Sequence, residues 1–124
     1  MAEKVNWSFS MQVVGGPLVA AAASAEVEAY DKLRVTVEDT TTQQVDLAPG
    51  GAGAICLVVI SPVHPSAKLT YKVGSADVAL DGPHVLIGTG AVGLLGTSAQ
   101  SISITNQTGA AASIEILVGR DATP

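Results

Sequence analysis

The chain opens on a two-residue period. Val5, Trp7, Phe9, Met11 and Val13 alternate with Asn6, Ser8, Ser10 and Gln12, which predicts a strand with one apolar and one polar face. Trp7 and Phe9 share the apolar face, so the core is their expected place. Gly15, Gly16 and Pro17 then mark a turn.

Residues 17–38 send two signals. Pro17 and four consecutive alanines, residues 20–23, suit a helix. The parity suits strands: Val19, Ala21, Ala23, Ala25, Val27, Ala29, Leu33, Val35 and Val37 are odd, while Glu26, Glu28, Lys32, Arg34, Thr36 and Glu38 are even. A helix would scatter Glu26, Tyr30 and Asp31 over several faces without a clean stripe. Two strands are the favoured reading, with Asp31 as the turn or bulge between them.

Beyond a polar strand end and a glycine loop (TTTQQVDLAPGGAG), the run AICLVVISP is apolar on both faces and predicts a central strand covered on both sides. KLTYKVGSADVALD fits a hairpin with a short glycine loop. HVLIG, AVGLLG, QSISITN and ASIEILVG follow as further strands. Eight or nine short strands at regular spacing, with no convincing helix, predict an all-β sandwich of jelly-roll type. A length of 124 residues makes this one domain, residues 1–124, with 119–124 expected as a loose tail.

Composition narrows the chemistry. The single cysteine, Cys56, precludes an internal disulfide and is expected as a small buried hydrophobe. A net charge of -5 and scattered basic residues argue against nucleic acid. The absence of a polybasic patch argues against anionic lipid. MAEKVNWSFSMQV carries an early acid and no apolar block, so a signal peptide is not expected and synthesis in the cytoplasm is. No apolar run has the length and composition of a membrane span.

Residues 88–93, GTGAVG, match the dinucleotide fingerprint G-x-G-x-x-G. That motif needs a following helix whose N-terminus holds the pyrophosphate. Only LLGTSA separates Gly93 from the strand QSISIT, so a crossover does not fit and no cofactor is expected. His64 and His84 lack the H-x-H clustering of a cupin metal site, and no metal is expected. No nucleophile elbow G-x-S-x-G occurs, and no catalytic residue is assigned. Asn106-Gln107-Thr108 reads as a polar turn, although it matches a glycosylation sequon.

The charge pattern points to an interface. Residues 82–114 contain no Asp, Glu, Lys or Arg, about a quarter of the chain. A small domain cannot bury that much of itself, and interface cores are depleted in charge. The charges gather instead at 26–46 and 68–81, the expected solvent side. Val85, Leu86, Ile87, Val92, Leu94 and Leu95 are the candidate interface residues. A weakly charged surface kept wet by Ser, Thr, Gln and Asn is the competing explanation.

The alternating strands, the glycine-rich middle and the closing SIEILVGRDATP resemble small virion proteins of tailed bacteriophages, the capsid decoration or cement type. The resemblance implies a non-enzymatic protein of the virion. It would form homo-oligomers, a trimer above all, and dock on the major capsid protein or another virion protein. Two other classes stay open: a carbohydrate- or ligand-binding sandwich, which needs exposed aromatics, and a small hydrolase or cupin-like enzyme, which needs His64 and His84 in one pocket.

Overall fold

Alternation becomes strand almost throughout the computed structural model, which describes residues 3–27, 29–46, 55–95 and 101–120. Among these residues ten strands and one α-helical turn follow in order. They are β1 (Glu3–Gln12), β2 (Leu18–Val27), β3 (Ala29–Val37), β4 (Thr41–Asp46), β5 (Ile55–Pro62), β6 (Ser66–Val73), β7 (Ala76–Leu80), β8 (His84–Ile87), α1 (Thr89–Val92), β9 (Ser101–Asn106) and β10 (Ala112–Arg120).

Eight of these strands make two four-stranded sheets, ordered β3-β10-β5-β8 and β4-β9-β6-β7. Every paired neighbour is antiparallel. Numbered within the sandwich, the orders are 1-8-3-6 and 2-7-4-5. This is the jelly-roll winding, two Greek keys closed on one core. The core lies between the sheets. Ile114, Ile116, Val118, Val58 and Ile60 face Ile102, Ile104, Leu69, Tyr71 and Leu80 across it. Each fully buried aliphatic side chain there contributes roughly 1.5–3 kcal/mol by leaving water.

Among the described residues, Asn106 is the buried polar one in this core. Its amide donates to Val37 O at 2.8 Å and Ala110 O at 2.7 Å, and its Oδ1 accepts from Thr108 N and Oγ1. The expected polar turn is therefore also a buried clasp that ties the end of β9 to β3.

The helix alternative for residues 17–30 is not taken. The alanines lie opposite large partners, Ala23 against Trp7 and Ala21 against Phe9. Cross-strand packing overrides the helical preference of alanine. Asp31 is not the break: it lies inside β3 and pairs with Arg120, while the strands change between Val27 and Ala29. Residues 91–95 are not a strand: Ala91 and Val92 end the helical turn α1 and residues 93–95 continue it as a 3-10 turn, entered where Gly88 adopts φ 94, a value suited to glycine. Gly119 and Arg120 belong to β10 and not to a tail; residues 121–124 lie outside the described residues. Cys56 is half-buried, not buried, with its thiol 3.5 Å from Gly119 O.

Candidate functional site

β1 and β2 form a separate two-stranded sheet, an arm outside the sandwich. Their register runs from Glu3↔Val27 to Gln12↔Leu18. Residues directly opposite share a face. One face is therefore Val5, Trp7, Phe9 and Met11 beside Ala25, Ala23, Ala21 and Val19. The other carries Lys4, Asn6, Ser8, Ser10 and Gln12 beside Glu26, Ser24, Ala22, Ala20 and Leu18. Large side chains on β1 stand next to a shelf of alanines on β2.

The root of the arm is well packed. Val27 is fully buried, and a Cβ on Gly119 would stand 2.9 Å from Val27 Cγ1 and 3.3 Å from Leu57 Cβ. Only glycine lets the β2 end sit this close to β10. Further out, burial ceases. Phe9 is 47 % exposed and Met11 73 %. Trp7 is half-buried and stacks on Phe9, with ring centroids 6.3 Å apart and planes within 9°. The expectation that Trp7 and Phe9 lie in the core is thus wrong. A period of two says that one face is apolar, not what covers it.

The apolar face of the arm looks onto the sandwich edge across a cleft of about 690 Å3. Trp7, Phe9 and Met11 line one side, and Pro83, Val85, Ile87 and Ala91 the other. β8 is one of the two edge strands of its sheet. Two uncharged segments thus meet at one place, residues 82–114 and residues 5–25, which also contain no Asp, Glu, Lys or Arg. The second segment is the signal from which sequence reasoning could have found the arm.

The six candidate interface residues separate by depth. Val85, 53 % exposed, lines the cleft with the half-buried Ile87. Leu94 is 74 % exposed and borders a second apolar hollow of about 450 Å3 with Tyr71, His84 and Leu86. Leu86 packs partly against the core, and Val92 and Leu95 are core residues of this chain. Part of the long uncharged run is also explained internally. β9 turns Ile102, Ile104 and Asn106 inward and leaves Ser101, Ser103 and Thr105 on its outer face.

The histidines sit in different settings. His64 is exposed in the loop between β5 and β6. His84 Nδ1 lies 2.8 Å from Tyr71 Oη, a bond that links β8 of one sheet to β6 of the other. Burial pushes the Tyr71 hydroxyl above its ordinary value of 10.0, so it stays a neutral phenol. Among the described residues, no group of three His, Cys, Asp or Glu side chains converges. GTGAVG closes β8 and forms α1, a helix of four residues; β8 itself pairs antiparallel to β5. A polar trough on the second sheet, lined by Lys68, Thr70, Lys72, Asp77, Thr105 and Gln107, has its Lys72 and Asp77 paired at 2.9 Å.

The cleft offers contact, not charge. Its walls are apolar apart from Ser8, and filling it removes aromatic and aliphatic surface from water. Among the described residues no helix is long and apolar enough to cross a membrane. No family model, curated protein or solved structure matches this chain.

Proposed function

We propose that this chain is a structural assembly module without enzymatic activity. It associates with copies of itself and docks on a larger protein shell through its uncharged side. The setting that fits is a virion of the tailed-phage kind, where the module sits as a homo-trimer on the major capsid protein or another virion protein. One observation carries the reading: the arm beyond Lys4 and Glu26 and the β8–α1 edge, both free of charge, leave a shared apolar cleft open to water. Interface cores are depleted in charge and enriched in aromatic residues and Met. The jelly-roll winding and the resemblance to decoration proteins support the wider setting.

The test is the absolute mass of the purified chain, by light scattering after size exclusion, over a concentration series. A stable trimer or larger ring is expected, against 12.4 kDa for one copy. A single copy at every concentration overturns self-association.

The half-exposed Trp7–Phe9 stack favours a second reading, a carbohydrate- or ligand-binding module, because aromatic rings open to water offer an apolar surface to a flat sugar face. Calorimetric titration with oligosaccharides separates the two. Saturable heat that disappears in Trp7→Ala supports the second reading.

A further inference from the structure

We infer that the tip of the arm of one copy seats in the cleft between arm and β8 of a second copy. This rests on the self-association proposed above and names its parts: Val13, Val14 and Leu18 as the plug, and Trp7, Met11 and Val85 as the socket.

The tip is an apolar knob where loop tips are normally small and polar. Residues 13–18 read VVGGPL, and Val14 is 100 % exposed. The loop is already shaped. Gly15 takes φ 75, Gly16 N donates to Val13 O at 2.7 Å, and Val13 N donates to Pro17 O at 3.0 Å. A preformed loop loses little freedom on binding.

The tip does not reach its own cleft. The ladder is unbroken out to Gln12↔Leu18, so the loop stands beyond Met11. Trp7 lies six residues back along β1, roughly 20 Å at strand rise. Folding the tip onto Trp7 of the same chain would break the ladder. A tip that seats in the socket therefore comes from another copy, and the volume of about 690 Å3 suits a compact apolar group.

Charge and area identify the occupant as another copy. Each chain carries -5, so copies repel unless they meet through uncharged surface. The tip and the socket are both uncharged. A basic or acidic partner would find no counter-charge there. Phe9, Met11, Val13, Val14, Leu18 and Val19 are exposed. At roughly 100 Å2 of apolar area apiece, the area that corresponds to the transfer energy of such side chains, they leave ~600 Å2 in water. Phe9 and Met11 belong to the socket and Val13, Val14 and Leu18 to the tip, so a copy in a closed ring, giving its tip to one neighbour and its socket to the other, buries this area together with the β8 wall, near the ~800 Å2 that one partner gives a standard interface. Tip and socket are different surfaces, so the contact is head-to-tail and closes into a ring when the rotation permits.

The test pairs two variants of the full chain. Val14→Asp spoils the tip and keeps the socket; Val85→Asp spoils the socket and keeps the tip. Both sites are exposed, and circular dichroism with a thermal melt checks folding. Ala91→Glu replaces Val85→Asp if that variant does not fold. Each variant alone is expected to have the mass of one copy, and their equimolar mixture twice that mass through one good joint. The single tryptophan, Trp7, lies in the socket, so native assembly should shift its emission to the blue and Val14→Asp should abolish the shift. Native association with Val14→Asp assembling as native does, or a mixture that stays at one copy, overturns the plug while self-association stands. Mass growth without any change in Trp7 emission does the same. A native chain that is a single copy throughout overturns self-association itself.

Discussion

A methyl group on Gly119 would meet Val27 Cγ1 at 2.9 Å, so Gly119→Ala forces the root of the arm off β10. Overpacking of this kind costs ~1–3 kcal/mol, and urea denaturation should show that loss. Asn106 is a second sensitive residue, because it satisfies Val37 O inside the core. Asn106→Ala removes that bond together with those to Ala110 O and Thr108 and should cost about 2 kcal/mol in the same assay. Tyr71 adds a pH dependence whose sign follows from its burial. Its hydroxyl ionises above 10.0 in the folded chain, whereas in the unfolded chain it ionises at the ordinary value. The unfolded state therefore loses the proton first as pH rises. The stabilisation is complete below pH 10.0 and declines above it, through the higher folded value. Denaturation curves on either side of pH 10.0 should show the decline, and Tyr71→Phe should flatten it.

At the scale of elements, the strands were legible and their neighbours were not. The two-residue period marks β1 as a strand, yet the same period describes a core strand and one in a free-standing arm. Covering is a tertiary property, set here by where β2 leaves β3 and by the fit of Val27 over Gly119. Local preference also misleads in both directions. Alanines that favour a helix become β2 because Trp7 and Phe9 lie opposite. The stretch AVGLLG is apolar enough for a strand, yet its described residues 91–95 are helical because Gly88 redirects the chain. The sandwich strands were easier to read, since buried aliphatics alternate cleanly in β9 and β10. Of the candidate interface residues, Val92 and Leu95 illustrate the limit: an uncharged stretch holds core and surface positions alike. The two kinds of strand should separate in mutants. Ile116→Ala, in the core, should cost ~2–5 kcal/mol. Phe9→Ser, on the arm, should change the stability of the sandwich by about 0.5 kcal/mol or less. Equilibrium urea curves measure both, and light scattering should show that only the second weakens association while the fold persists.

For the whole molecule, charge and apolar surface are segregated. Among the described residues the charges lie at the root of the arm, on strands of the sandwich and in the turns after β3 and β7, and the arm beyond Lys4 and Glu26 carries none. This separation makes the response to salt diagnostic. Copies with a charge of -5 repel over ~30 Å at 0.01 M salt but only ~8 Å at 0.15 M. An apolar joint is not screened, so added NaCl should raise the assembled fraction, and sulfate should raise it further by strengthening burial. Cooling should lower it, because apolar burial weakens towards low temperature. A joint made by the charged faces, through Lys32, Arg34 or Lys72, would respond in the opposite way and come apart as salt is added. Light-scattering mass at fixed protein concentration, across a salt series and at two temperatures, therefore distinguishes the arm from the charged faces. Mass that falls with NaCl would place the contact on the charged sheets and remove the arm from the assembly.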